Sequence, residues 1–161
     1  MKSQLYWMSI SSKVLLLTVI WGAVSHNSLA QSEEDSVKNT IEKLFEGMRT
    51  ADSSMVHSVF ASEARLLTIV EQNDNISLRE APLSRFLQAV GTPHDKVWDE
   101  QILDYQIQVD GAMAVAWTPY RFYRGTTFSH CGVNAFQLYQ SSEGWKIIQI
   151  TDTRRTEDCP E

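Results

Sequence analysis

The stretch from Tyr120 to Arg155 constrains the fold most, because it reads as three consecutive β segments joined by two turns. Phe136–Gln140 and Trp145–Ile150 have the aromatic and β-branched content of strands. Ser142-Glu143-Gly144 between them suits a three-residue hairpin loop with Gly144 in the left-handed region. That loop sets Leu138 opposite Ile148, Phe136 opposite Ile150, Asn134 opposite Asp152 and Gly132 opposite Arg154. Side chains alternate along a strand, so these pairs share one face. The face is apolar near the turn (Phe136, Leu138, Ile148, Ile150) and polar beyond it. Asn134, Asp152 and Arg154 form the polar end, with His130 two residues before Gly132. An apolar wall ending in a few convergent polar groups is the usual make-up of a small-molecule site. A loop one residue longer or shorter would turn one strand over and separate these groups.

The N-terminus has the pattern of an export signal. Lys2 and Lys13 precede an apolar run from Val14 to Val24, and Ser28-Leu29-Ala30 is a small-x-small cleavage site. The run is shorter than the ~20 apolar residues of a comfortable bilayer span. Residues 1–30 are therefore expected to be a cleaved signal peptide. The product would be periplasmic or secreted, with no stable membrane insertion after cleavage. Removing 30 of 161 residues leaves 131, a single domain of ordinary size. The lost segment carries two lysines and no acid, which takes the formal charge from −6 to −8. So acidic a chain, with no basic stripe, lacks the electrostatic footprint of a nucleic-acid binder. The two cysteines, Cys131 and Cys159, are expected to pair in an oxidising compartment, pinning the C-terminal tail to the sheet.

Along the mature chain, Ser32 opens a first helix with acids in its first turn, and Val37, Ile41, Leu44, Phe45 and Met48 form its apolar stripe. Asp52 begins a short second helix. Ala64–Val70 and Ile76–Leu78 read as strands around an Asn73-Asp74-Asn75 turn, and Pro82 leads a third helix that ends near Gly91. Residues 92–101 read as a polar loop. Ile102–Val109 alternates as a strand, Asp110-Gly111 marks a hairpin, and the return strand Ala112–Tyr123 is interrupted by Pro119, which suggests a bulge or an edge. No His, Cys, Asp or Glu cluster has metal-ligand spacing, and neither a phosphate-binding glycine loop nor a Gly-x-Ser-x-Gly elbow is present, so no metal or cofactor is expected. Helices segregated beside an antiparallel meander make the chain α+β.

Several motifs carry a family resemblance: Trp98-Asp99-Glu100, Val109-Asp110-Gly111, Tyr120-Arg121-Phe122-Tyr123, Phe128-Ser129-His130-Cys131-Gly132, Asn134-Ala135-Phe136, Gly144-Trp145-Lys146-Ile147 and Asp152-Thr153-Arg154-Arg155. With the order of elements, they make residues 31–161 resemble the nuclear transport factor 2-like superfamily, within its SnoaL-like and lumazine-binding branch. The resemblance implies a cystatin-like cone: N-terminal helices packed on a strongly bent, mainly antiparallel sheet, with a cavity open at one end. It also implies a homodimer, because many relatives pair through the sheet. Relatives use the cavity for acid–base catalysis or for binding alone.

Two functions follow as expectations. The first is a small domain whose pocket binds a small, partly apolar ligand through Tyr120, Phe122, Asn134, Phe136 and Arg154. Arg154 has the best claim on an anion, since a guanidinium can clamp a carboxylate with two hydrogen bonds. The second is a cofactor-free isomerase, cyclase or dehydratase. There His130 would be the general base, Asp152 would orient it or act as acid, and Tyr120 or Asn134 would hold an oxyanion.

Overall fold

The computed structural model describes residues 24–72 and 75–161. The described residues form three helices and seven strands: α1 Val24–Arg49, α2 Ser53–Ser58, β1 Phe60–Gln72, β2 Asn75–Ala81, α3 Leu83–Gly91, β3 Trp98–Ile102, β4 Gln106–Asp110, β5 Met113–Arg124, β6 Thr127–Ser141 and β7 Gly144–Thr153. Of the expected leader, residues 1–23 lie outside the described part, and the backbone of 24–30 begins α1. Ser32 is thus inside a helix rather than at its start, and its carbonyl accepts a bond from Ser36 Oγ at 2.9 Å. No proline or glycine interrupts residues 24–32, so nothing in the sequence stops the helix at Ser32.

All seven strands belong to one sheet in the order β2-β1-β7-β6-β5-β3, with β4 also paired to β5. Every neighbouring pair is antiparallel except β1 and β7. The sheet is curved and unclosed, and α1 lies in its concavity. The stripe Val37, Ile41, Leu44, Phe45 and Met48 is buried against Ala114, Ala116, Phe136, Leu138 and Ile147. Each fully buried large apolar side chain contributes ~1.5–3 kcal/mol, so this one helix face accounts for much of the core. Asp52 caps α2, its Oδ1 accepting from Ser54 N at 3.0 Å and Met55 N at 2.9 Å.

Two expectations need correction. The expected strand Ile102–Val109 is two strands, β3 and β4, and the loop expected over 92–101 ends at Trp98. β5 is 12 residues long and takes a different partner on each half: β4 along Met113–Trp117 and β3 along Tyr120–Arg124. The switch falls at Pro119, which cannot donate a ladder bond but accepts one from Leu103 N at 2.9 Å. The β6–β7 turn is also one residue shorter than expected. Ser141 pairs with Gly144, so Leu138 lies opposite Ile147. Ile148 is then left over as a bulge, and the ladder resumes with Phe136 opposite Ile150 and Asn134 opposite Asp152. Ile147 is fully buried and Ile148 exposed, so Ile147 takes the expected place of Ile148 in the apolar wall.

Cys131 and Cys159 are disulfide-bonded. The tail is further held by paired backbone bonds between Cys131 and Arg155, at 2.8 and 2.9 Å, and by Arg121 Nη2 donating to Pro160 O at 2.9 Å. No helix of the described residues is long and apolar enough to cross a membrane.

Candidate functional site

The register sorts the inner face of the sheet into rows. One row is apolar: Ala116 on β5, Phe136 on β6, Ile150 on β7 and Leu66 on β1. The next is polar across the same four strands: Thr118, Asn134, Asp152 and Thr68. Beyond it Tyr120 faces Gly132. At Gly132 an added Cβ would lie 1.9 Å from the carbonyl oxygen of Thr153, so only glycine permits this approach. The same carbonyl accepts the Tyr120 hydroxyl at 3.0 Å.

These rows form one wall of a cavity of about 330 Å3, near the lower end of the usual range for small-molecule pockets. Leu44, Phe45 and Met48 of α1 and Phe86 of α3 close the apolar end. The expected ligand contacts Tyr120, Phe122, Asn134, Phe136 and Arg154 all line it. His130 and Asp152, the expected acid–base pair, line it too.

Their mutual bonding differs from the arrangement expected. Asp152 Oδ1 accepts from Thr68 Oγ1 at 2.6 Å and its Oδ2 from Arg154 Nε at 2.6 Å. His130 Nδ1 lies 3.1 Å from Ser129 Oγ, so Asp152 does not orient the imidazole. The ring of His130 stands edge-on to Tyr120 at 5.8 Å and tilted over Phe122 at 5.0 Å. Burial, then the charge of Arg154, lowers the His130 pKa; Asp152 opposes this and Arg124 adds to it. Tyr120 spends its proton on Thr153 O, and burial raises its pKa. Tyr120 thus has no proton left for an oxyanion, whereas Asn134 Nδ2 donates one N–H to Glu100 Oε1 at 2.7 Å and keeps a second.

Glu100 is the residue that sequence reasoning missed. It enters the cavity from β3, opposite Phe122 on β5. Burial is the main cause that pushes its carboxyl up to about 7; the Asn134 bond and the charge of Arg154 oppose it, and Asp152 adds to it. The signal lay in the alternation Trp98, Glu100, Ile102, whose outer two members pack on the core. Thr68, Arg85 and Arg124 also line the cavity and were not singled out. Among the described residues no three His, Cys, Asp or Glu side chains are grouped so as to hold a metal ion.

A bent sheet wrapped on a long first helix, with a cavity at one end lined by a polar row, defines the nuclear transport factor 2-like class. A solved protein of that class from Novosphingobium aromaticivorans, with a cystatin-like fold, superposes with a TM-score of 0.67 at 8% identity, covering 84% of this chain and 90% of its own. A "putative dehydratase" of the class from Streptomyces avermitilis gives 0.60 at 12%, covering 78% and 97%. A "putative ketosteroid isomerase" from Shewanella frigidimarina gives 0.54 at 11%, covering 73% and 94%. At these identities the likeness establishes the fold alone. The family described as "Putative lumazine-binding" matches residues 32–151, and the chain belongs to that family. No curated protein matches it in sequence.

Proposed function

We propose that this protein binds a small, partly apolar molecule in the cavity between α1, α3 and the sheet. The observation that carries this reading is the change of lining in successive rows, from Phe136 and Ile150 to Asn134 and Asp152. Apolar burial would supply affinity and the polar row orientation. The family description and the class of the solved neighbours support it. The test is a thermal-shift screen of compact ring compounds against the purified protein and its Ile150→Trp variant, which fills the cavity. Shifts in the native protein that vanish in the variant are expected; equal shifts in both would sink the reading.

Glu100 favours a second reading, cofactor-free acid–base catalysis of the isomerase, cyclase or dehydratase type. A carboxyl titrating near 7 beside the Arg154-paired Asp152 is poised to give or take a proton at neutral pH. The Streptomyces and Shewanella neighbours, described as a "putative dehydratase" and a "putative ketosteroid isomerase", are consistent with it. In this reading Glu100 moves the proton and His130 is the second candidate. Turnover of ketone or hydroxy-acid substrates should then show a kcat limb near pH 7 that Glu100→Gln abolishes. Unchanged turnover in that variant would exclude Glu100.

Two further properties belong to the proposal. Export with cleavage after Ala30 would place the disulfide in an oxidising compartment, and intact mass of the protein from cell fractions tests it: an N-terminus at Gln31 is expected. Pairing of two copies through the outer sheet face is the other.

A further inference from the structure

The chain is acidic overall, with a formal charge of −6, yet arginines outnumber acids around the cavity. Arg85 comes from α3, Arg124 from the end of β5 and Arg154 from just beyond β7, against Glu100 and Asp152. The acids are accounted for internally. Asp152 is ion-paired with Arg154 at 2.6 Å, and Glu100 accepts from Asn134 in surroundings that favour its neutral form. Arg154, the guanidinium expected from sequence to take an anion, gives its Nε to Asp152 and has only its Nη groups left for a ligand. The guanidinium groups of Arg85 and Arg124 have no hydrogen-bond or ion-pair partner among the described residues, and both residues are exposed, so they stand at the cavity rim. Arg124 follows Tyr120 and Phe122 on the cavity side of β5, and Phe122 pairs with His130, which places Arg124 beyond the polar row.

We propose that the occupant is an amphipathic anion: a compact ring body bearing one carboxylate. The body lies against Phe45, Phe136 and Ile150, and the head meets Arg124, with Arg85 across the opening. This rests on the ligand-binding reading and deepens it. A guanidinium with no protein acceptor at the edge of an apolar cavity offers paired N–H donors in the geometry a carboxylate accepts. The apolar wall alone would take a neutral ring equally well, so the arginines decide the class.

The test is isothermal titration of the full protein with two near-isosteric probes, naphthalene-2-acetate and naphthalene-2-acetamide. The acid is expected to bind about tenfold more tightly, since its carboxylate accepts a charge-assisted bond that the amide cannot match. That preference should shrink at 0.5 M salt, where the screening length is only a few ångströms. It should fall below about threefold in Arg124→Gln and persist in Arg79→Gln, whose side chain sits on β2 outside the cavity. Melting curves of both variants check that the fold is intact. Equal or tighter binding of the amide overturns the anionic head and leaves the pocket reading standing. A preference that survives in both Arg124→Gln and Arg85→Gln overturns the assigned seat. Binding of neither probe overturns this proposal, while a positive thermal-shift screen would still uphold the pocket.

Discussion

Glu100 stands in the cavity with one oxygen on Asn134 and its carboxyl titrating near 7 instead of the ordinary 4.5. A carboxyl whose folded pKa is raised binds its proton more tightly in the folded chain than in the unfolded one. Stability from this source is intact below pH 4.5 and is lost as pH rises through 7. At one pKa unit per ~1.4 kcal/mol, the full loss is on the order of 3 kcal/mol. Glu100→Gln keeps the acceptor for Asn134 and removes the titration. The variant is expected to melt higher than the native protein at pH 8 and to match it near pH 4.5. Parallel pH–melting curves would rule this out. Gly132 makes the opposite kind of demand. A Cβ there meets backbone, the Thr153 carbonyl at 1.9 Å, which cannot swing aside as a side-chain tip could. Gly132→Ala should cost roughly 2 kcal/mol or more by forcing β6 and β7 apart, measured by urea denaturation.

At the scale of elements, the β6–β7 hairpin shows what a sequence discloses. Composition marked both strands, and Gly144 with φ +105 marked the turn. Loop length and strand regularity were not separately visible. The loop is one residue shorter than read, and the bulge at Ile148 adds one residue back. The two slips cancel, so Asn134 faces Asp152 as the pattern implied, while the apolar pair near the turn is Leu138 with Ile147. β3 was hidden for another reason. Trp98-Asp99-Glu100-Gln101 is too polar to read as a strand by composition, because its inward position carries a carboxyl instead of an apolar side chain. Only the alternation of Trp98 and Ile102 around Glu100 pointed to its inward side chain. The hydrogen-bond partners of Asp152, Tyr120 and Asn134 depend on distances between strands far apart in sequence, which no local pattern encodes. The cap of α2 was legible, since Asx capping is a local interaction. Asp52→Ala should cost ~1 kcal/mol, and a melting point unchanged from native would contradict the cap.

Across the whole molecule, the outer face of the sheet is unlike the rest of this acidic chain. Over β4 to β7, the row Gln108, Val115, Gln137 and Gln149 and the row Gln106, Trp117, Ala135 and Thr151 contain no charged side chain, and the Arg65–Glu80 pair lies beyond them on β1 and β2. Trp117 lies 51% exposed among them, flanked by exposed Met113 and Tyr139. Charge depletion around an aromatic and a methionine is the composition of an interface core. A neutral face can also oppose its own copy without repulsion. The protein is expected to sediment as a dimer at micromolar concentration and Trp117→Glu as a monomer; a monomeric native protein would refute the pairing.

The Cys131–Cys159 bond has a consequence for how the molecule carries load. A pull applied at Glu161 enters at Cys159 and crosses directly to Cys131, so the intervening segment, which includes β7, bears no tension while the bond holds. The force reaches β6, a strand held by neighbours on both sides. With a sequence separation of 28 and ~3.5 Å per extended residue, the oxidised chain should extend roughly 90 Å less than the reduced one in a single-molecule stretching trace. A machine that unravels this protein from its C-terminus would begin in the interior of the sheet, with the polar row still shielded from its grip.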